Sequence, residues 1–194
     1  ADEFRDGNVP AGKDNLRLIQ RGFQVLPAWV RERYFRSDSA CYEEKVLKWL
    51  VNEQRPGGPA GPIWFTISAD MTVELRACCV AVLEAEAEPD RDLPRWRMLD
   101  DLRANEFVEW AEVEFTPGDW PKNARPLRYL VLRIQKRQGC LFASGERYKY
   151  LGVATNREGE GAALIRWHWG KAGTIEHVHD ETKNGLGAGV LPCA

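Results

Sequence analysis

The feature that most restricts the fold of this chain is a strand, a helix and a strand in succession over residues 29–68. Residues 29–37 are rich in aromatic and β-branched side chains and predict a strand, with Asp38 at its carboxyl end. From about Ala40 apolar side chains recur at helical spacing, and residues 63–68 predict a short buried strand. Two strands joined through a helix normally pair in parallel, so this unit predicts an α/β fold.

The remaining pattern predicts one helix before this unit and a helix, three strands and a last helix after it. Helical spacing is present over residues 14–25 and again over 72–87. Three strands with short connections are then predicted at residues 107–116, 127–135 and 147–155. Consecutive strands with short loops indicate an antiparallel meander, and a last helix is predicted from Glu158 to Thr182.

Composition limits the class of protein. The chain has 194 residues, of which 44% are hydrophobic, and this suits a single folded domain. No stretch is long and apolar enough for a transmembrane helix, and no signal-peptide pattern opens the sequence. The five cysteines include no Cys-x-x-Cys pair, so reduced thiols in a cytoplasm are expected. Ala1 and Ala194 at the two ends suggest a piece of a longer protein.

Charge is distributed unevenly along the second half of the chain. Residues 84–119 carry twelve acidic side chains against four arginines, whereas residues 120–150 carry eight basic side chains against Glu146. The basic block contains aromatic residues and could follow a phosphate backbone. It could equally be a solvated sheet face that pairs with the acidic block, and charge alone favours this second interpretation.

An aspartate at a strand end and a glutamate in a later helix suggest one chemistry. Two divalent cations about 4 Å apart can bind the attacking and leaving oxygens of a phosphodiester, and Mg²⁺ prefers carboxylate ligands. Asp38 and Glu176 are candidates. From the residues alone, however, a helix-capping Asp38 and a solvated Glu176 are favoured. Zinc at His168, His177 and His179 ranks below an indirect or DNA-contacting role, because no cysteine pair accompanies them.

Two segments carry a resemblance to a known family. Residues 167–193 contain Glu176 followed by Lys183, and this region resembles the C-terminal signature of bacterial insertion-sequence transposases of the DDE class. In that signature a Tyr-x₂-Arg-x₃-Glu-x₆-Lys pattern holds the third catalytic acid. Trp169 and Ala172 stand at its Tyr and Arg positions, and Lys171 lies beside the latter.

The second segment is Phe-Arg-Ser-Asp-Ser-Ala-Cys-Tyr at residues 35–42. It is similar to the segment around the second catalytic aspartate of the same family, with Arg36, Asp38 and Ser39 on the motif positions. Shorter similarities at residues 6–11, 68–71 and 154–157 extend the resemblance over nearly the whole chain.

The resemblance implies a partial RNase H-like core with an antiparallel β-rich insertion. The core would comprise residues 1–69 and 156–194, and the insertion residues 70–155. The strand with the first catalytic aspartate would lie upstream of Ala1. Asp38 and Glu176 would be catalytic and would bind Mg²⁺, with Mn²⁺ as an alternative. The expected DNA-contacting residues are Lys183, Lys171, Arg125, Arg128, Arg133 and Lys136.

The function that the resemblance implies is cleavage of DNA at transposon ends and transfer of the freed 3′ ends to target DNA. Its partners would be double-stranded DNA and a second copy in a synaptic homodimer, in a bacterial cytoplasm at the nucleoid. The fragment alone is expected to be inactive. Two alternatives stay open: a non-catalytic or domesticated DNA-binding relic of the same fold, and a metal-dependent nuclease.

Two structural expectations follow. The carboxylates of Asp38 and Glu176 should lie within about 10 Å of each other, because ligands of a two-metal site must converge. Residues 105–155 should form an antiparallel sheet that flanks the core and leaves part of the basic block exposed. If that block binds DNA, its affinity should fall steeply with salt.

Overall fold

The structure is a computed structural model that describes residues 14–85, 95–99, 106–118, 120–122, 124–136 and 141–170. Within these residues the chain forms four α-helices, six β-strands and one short 3₁₀ helix at Ser39–Cys41. In chain order the main elements are α1 (Asn15–Gln24), β1 (Tyr34–Ser37), α2 (Glu44–Val51), β2 (Trp64–Ala69), α3 (Val73–Ala85), β3 (Arg97–Met98), β4 (Glu106–Val113), β5 (Arg128–Lys136), β6 (Lys149–Thr155) and α4 (Gly161–Trp169).

All six strands belong to one mixed sheet in the order β1-β2-β6-β5-β4-β3. β1 and β2 are parallel, with Tyr34 opposite Trp64, and every other neighbouring pair is antiparallel. The predicted α/β class, the parallel pair and the antiparallel meander are therefore confirmed. The meander continues the same sheet, because β6 pairs with β2. The division into a core and an insertion over residues 70–155 stays a prediction.

Helices α1, α2 and α3 cover one face of the sheet, which we call the three-helix face. Alternation along β2 directs Phe65 and Ile67 to this face, where both are fully buried. They join Val46 and Leu50 of α2 and Leu75 of α3 in the larger of two apolar cores. The β1-α2-β2 unit is thus held by the burial of its own amphipathic helix.

Helix α4 covers the opposite face, which we call the α4 face. Its Leu164 and Ile165 pack on Trp110 of β4 and on Leu130 and Leu132 of β5 in a second apolar core. The two cores lie on opposite faces because successive residues of β5 alternate between them. A single helix therefore bridges the sheet from the meander toward the parallel pair.

A buried arginine organises the loop between α2 and β2. Arg55 is only 4% exposed, and its guanidinium donates to the carbonyl oxygens of Trp49, Leu50, Pro59 and Gly61. The first two carbonyls belong to the last turn of α2, which has no intrahelical donors for them. The Pro- and Gly-rich loop is thus fixed by one side chain.

Several predicted boundaries are wrong at their ends. The strand predicted over residues 29–37 begins only at Tyr34, because β2 supplies no partner before Trp64, and Trp29 is 79% exposed. The helix predicted from Ala40 begins at Glu44, since the 3₁₀ turn comes first. The two-residue strand β3 has no counterpart in the sequence pattern.

Helix α4 is described as far as Trp169, and the rest of the helix predicted to Thr182 lies outside the described residues. None of the helices in the described part of the chain is long and apolar enough to cross a membrane. Cys41, Cys78 and Cys79, the described cysteines, carry free thiols.

Candidate metal and DNA site

Asp38 lies immediately after β1, at the carboxyl end of the parallel pair. Its side chain is exposed and caps the 3₁₀ turn, with Oδ1 accepting from the backbone N–H of Ala40 at 3.1 Å. The hydroxyl of Ser37 donates to the same oxygen at 3.5 Å. The capping role that the residues alone favoured is therefore present. It leaves the carboxylate at the surface and fixes its direction through one of its oxygens.

A cavity of about 210 Å³ opens beside this carboxyl end. Its lining includes Ser39, which follows Asp38, together with Ser68 and Asp70 at the end of β2. Because β1 and β2 are parallel, their carboxyl ends meet at the same edge of the sheet. The two exposed carboxylates Asp38 and Asp70 therefore belong to the same edge.

His168 of α4 closes the inner side of this cavity. The ring is 1% exposed, and Nε2 shares a hydrogen bond with the hydroxyl of Ser68 at 3.0 Å. Nδ1 lies 2.8 Å from the hydroxyl of Thr66. Thr66 and Ser68 are alternate residues of β2, so both hydroxyls face the helix. The imidazole ties the last turn of α4 to the carboxyl half of β2.

The end of α4 is also held by β1. The Arg36 guanidinium donates to the carbonyl of Trp167 at 2.6 Å and lies 4.7 Å from the centre of its indole ring. Gly170, which follows the helix, is so close that a Cβ on it would lie 3.4 Å from the same guanidinium. The motif residue Arg36 thus holds the chain at the point where it leaves α4.

Three of the predicted site residues cannot be located. Glu176, Lys171 and Lys183 lie outside the described residues, and so does the expected approach of Glu176 to Asp38. In the part of the chain that the structure describes, no three His, Cys, Asp or Glu side chains come together as a metal site. Asp38 is therefore the one predicted metal ligand whose position is known.

Two of the predicted DNA-contacting arginines form ion pairs with the acidic block. Arg133 of β5 lies directly opposite Glu109 of β4 and bonds its carboxylate at 2.8 Å. Its side chain is only 8% exposed and lies against the rings of Trp96 and Tyr148. An Arg133 that reached a phosphate would first have to leave all of these partners.

Arg128 is the second of these arginines. Its guanidinium bonds both carboxylate oxygens of Glu112, at 2.7 and 2.8 Å, and donates to the carbonyls of Arg157 and Gly159. The ion pair with Glu112 is the first cause of a raised pKa for Arg128. Charge pairing between the acidic and basic blocks, one of the two interpretations left open by the sequence, is thus present in the sheet.

Arg125 and Lys136 are less enclosed. Arg125 is exposed and pairs with Glu158, and its guanidinium lies 5.9 Å from the centre of the Trp64 ring. The Lys136 ammonium donates to the carbonyl of Leu141 and lies over Phe142. A DNA-contacting role for these four cations stays a prediction, and Arg125 is the one with the most accessible charge.

A cluster of arginines and aromatic rings on the α4 face was missed by the sequence reasoning. Arg157 lies 4.3 Å from the centre of the Trp167 ring and 5.1 Å from that of Tyr34. Tyr34 and Trp64 are register partners at the start of the parallel pair. Neither spacing nor periodicity links these positions. The cluster forms only because β6, α4 and β1 meet in the fold.

Comparison of this chain with known protein families, with curated proteins and with solved structures found no match. The likeness to DDE-class transposases therefore rests on the sequence segments around Asp38 and Glu176.

Proposed function

We propose that this chain is part of the catalytic domain of a DDE-class DNA transposase, built on an RNase H-like core. The proposed reaction is metal-dependent cleavage of DNA at transposon ends, followed by transfer of the freed ends to target DNA. The observation that carries the proposal is the position of Asp38. The motif aspartate stands exposed at the carboxyl end of a parallel strand, where ligands commonly bind in α/β sheets.

The course of α4 supports the same site. His168 and Arg36 hold its last turn against β1 and β2, beside the cavity lined by Ser39, the residue that follows Asp38. Glu176 follows Gly170 by six positions, which correspond to about 9 Å in a helix and at most about 20 Å in an extended chain. This span limits how far Glu176 lies from the end of α4, and the proposal requires it to meet Asp38 within that limit.

The described residues supply one part of a site for a hard cation, the carboxylate of Asp38. The two contacts of the Asp38 carboxylate among the described residues both fall on Oδ1, so Oδ2 is available to a ligand. Carboxylate oxygens are the ligands that Mg²⁺ and Mn²⁺ prefer. Asp38 and Glu176 would hold the metal, with a further aspartate upstream of Ala1. Bound there, a pair of cations would stabilise the attacking and leaving oxygens of the phosphodiester.

Within this proposal the residues of the chain have distinct roles. The Ala40 N–H and the Ser37 hydroxyl orient the Asp38 carboxylate, and Arg36 holds the end of α4 from which Glu176 follows. Lys171 and Lys183 would contact DNA phosphates as point charges. The proposed partners are double-stranded transposon and target DNA and a second copy of the protein, in a bacterial cytoplasm.

The first test is metal binding by the chain itself. We expect Mn²⁺, followed by electron paramagnetic resonance, to bind wild type and to lose at least about 10-fold in affinity in Asp38→Asn and in Glu176→Gln. Asp70→Asn is the matched control, because Asp70 is an exposed aspartate at the same sheet edge. Equal binding by all four proteins would remove Asp38 and Glu176 from the metal site.

The second test is strand cleavage by a form extended upstream of Ala1 to include the first aspartate. Asp38→Asn and Glu176→Gln should each lower cleavage by more than about 100-fold while leaving binding of transposon-end DNA intact, because only an anionic oxygen is removed. Lys183→Ala should mainly weaken DNA binding. Near-normal cleavage by Glu176→Gln would contradict the assignment. DNA binding with no metal and no cleavage in wild type would favour the non-catalytic relic.

A further inference from the structure

The α4 face carries a second groove at the opposite end of the parallel pair from Asp38. This groove, of about 220 Å³, is lined by Tyr34, Trp64, Arg157 and Glu158. Tyr34 begins β1 and Asp38 follows its last residue, so the two sites are separated by a strand of about 13 Å. We call it the amino-end groove.

Aromatic rings form two walls of the amino-end groove. Tyr34 is 47% exposed, and Trp64, its partner in the parallel pair, is half-buried. The ring of Trp167 lies edge-on to Tyr34, with 6.1 Å between their centres. Register pairing puts Tyr34 and Trp64 side by side on one face, which is the arrangement of a stacking platform.

Arginines interleave with these rings. Arg157 and Arg36 both lie against Trp167, at 4.3 and 4.7 Å from its centre, and Arg125 lies over Trp64. Glu158, which pairs with Arg125, is the acidic residue in the lining and is 80% exposed. Glu32 lies beside the groove as well, because its carboxylate accepts a hydrogen bond from the Tyr34 hydroxyl at 3.2 Å. Three guanidinium groups in and around the groove therefore stand against two carboxylates, which leaves a net positive charge.

One nitrogen of the Arg157 guanidinium has no hydrogen-bond acceptor among the described residues. Nη1 of Arg157 is buried and has no partner within the described residues. A buried charged donor without an acceptor is costly, and a bound anion would satisfy it. Arg157 lies in the lining of the groove, so the anion would enter from there.

These observations point to a ligand that is both flat and anionic. Exposed rings bind the face of an unpaired base, and interleaved arginines bind phosphate and stack on bases. A fully paired duplex buries its base faces within the stack, so it cannot use the platform. An acidic peptide would use the arginines but would leave the rings without a flat partner.

We propose that the amino-end groove binds single-stranded DNA, with a base stacked on Tyr34 and Trp64 and a phosphate at Arg157 and Arg125. The choice of DNA rests on the proposed function, but the binding itself requires neither metal nor cleavage. Glu158 opposes it, since its carboxylate holds Arg125 and repels phosphate.

The test measures fluorescence anisotropy of a labelled oligothymidine of about 12 nucleotides, near the site size of single-strand-binding folds. The whole chain is used in the presence of EDTA, so failure of the metal site does not affect the result. Tyr34→Ala and Arg157→Gln should each weaken binding by about 10-fold. Tyr34→Phe should bind like wild type, and Glu158→Gln should bind more tightly because a repulsive charge is gone.

The matched control is Arg147→Gln. Arg147 also lies over a tyrosine, 5.4 Å from the ring centre of Tyr148, but it lies outside the lining of the groove. Its loss should change affinity by less than about 2-fold, the small effect of one distant charge. If Tyr34→Ala lost no more affinity than Arg147→Gln, the proposal would be overturned. Tighter binding of a blunt duplex, with no dependence on Tyr34, would overturn it as well.

A second readout does not depend on a truncated side chain. Oligothymidine stacked on Trp64 should quench tryptophan emission, and Trp64→Phe should keep most of the affinity while losing that part of the quenching. The conservative Phe retains a ring at the same position of β2. Quenching that was unchanged in Trp64→Phe would place the strand elsewhere on the protein.

Discussion

The meander and the parallel pair of strands belong to one sheet, but their charged side chains have different surroundings. In the meander, Arg133 and Arg128 of β5 bond to Glu109 and Glu112 of β4, the first pair being the less exposed. At the carboxyl end of the parallel pair, Asp38 is exposed, and its bonds within the described residues are to neighbouring groups of its own turn. Charges are paired across strands in one region and presented to solvent in the other.

The difference shows how a charge pattern in the sequence should be interpreted. Opposite blocks of charge, one at residues 84–119 and one at 120–150, resemble a nucleic-acid footprint when only the basic block is considered. Adjacent antiparallel strands instead bring the two blocks into register, so part of the charge stabilises the sheet. Asp38 at the end of β1 has no such cross-strand partner in the described part of the chain, so its charge is not used to hold the sheet together.

The largest expected effect comes from a substitution at the start of α4, the helix that joins the meander to the parallel pair. Gly161 begins α4 on the meander, and a Cβ there would lie 2.2 Å from a ring carbon of Trp110. Gly161→Ala should therefore force the helix or the indole to move and should lower the free energy of unfolding by about 3 kcal/mol. Urea unfolding followed by circular dichroism measures this loss.

Gly22→Ala is the control for that prediction. Gly22 lies within α1, and a Cβ at this position would meet nothing within 4 Å. It should raise stability by about 0.5–1 kcal/mol, because Ala is the better helix former. A Gly161→Ala protein as stable as wild type would show that α4 does not pack tightly on β4.

The next largest effect concerns the less exposed ion pair of the meander, between Arg133 and Glu109. Arg133→Met should lower the free energy of unfolding by about 2 kcal/mol, because Glu109 loses its partner and is only 23% exposed. The second change Glu109→Leu should restore much of the loss, since no unpaired charge then remains. Thermal unfolding of the two single variants and the double variant measures the coupling.

The same variants separate structure from DNA contact. If Arg133→Met kept its stability and instead lost affinity for duplex DNA, the predicted DNA-contacting role of Arg133 would be supported and its structural role rejected. Retained DNA affinity with lost stability would assign this cation to the sheet.

Much of the fold could be predicted from local patterns. Three consecutive strand-forming segments with short connections indicated the meander, and the helix between β1 and β2 indicated their parallel pairing. The start of β1 could not be predicted, because Trp29 and Val30 favour a strand but meet no partner strand among the described residues. Pairing of β6 with β2 depends on contacts between distant segments, which no local pattern encodes.

The candidate site was predicted less completely, for a physical reason. Asp38 could be singled out because strand ends collect ligand-binding residues and because its segment resembles a catalytic motif. The hydrogen bonds of His168 with Thr66 and Ser68 arise where a helix crosses a strand about 100 residues away. The rings and arginines of the amino-end groove likewise come from β1, β2, α4 and the segments before β5 and after β6, so neither cluster has a spacing signature.

A smaller effect appears at high pH and concerns the three-helix face beneath the meander. Burial raises the pKa of Cys79 from 9.0 to about 12, and it also raises the pKa values of Tyr42 and Tyr129, whose hydroxyls lie 3.0 Å apart. The folded state therefore favours the neutral forms. Stability should be complete well below pH 9.0, the ordinary pKa of a thiol, and should fall as pH rises through 9.0 toward 12.

Tyr129→Phe tests this dependence. The phenylalanine cannot ionise, so the decline in unfolding free energy above pH 9.0, the ordinary value for a thiol, should be shallower than in wild type. Tyr34→Phe is the control, because Tyr34 is 47% exposed. Equal slopes for wild type and Tyr129→Phe would show that the tyrosine pair does not contribute to the alkaline loss.

The smallest expected effect concerns the exposed pair of the meander. Arg128 and Glu112 lie diagonally across β5 and β4, and their side chains are 26% and 43% exposed. Glu112→Gln should cost at most about 1 kcal/mol, and the cost should shrink in high salt because solvent ions screen such a pair. Arg128→Gln should cost more than Glu112→Gln, since the carbonyls of Arg157 and Gly159 then also lose their donor. Urea unfolding at low and high NaCl separates the two contributions. A loss in Glu112→Gln that did not depend on salt and was as large as that in Arg133→Met would contradict this prediction. It would mean that the exposed fraction of an ion pair does not determine its contribution to stability. Stability could then not be used to decide which of these arginines is available to DNA.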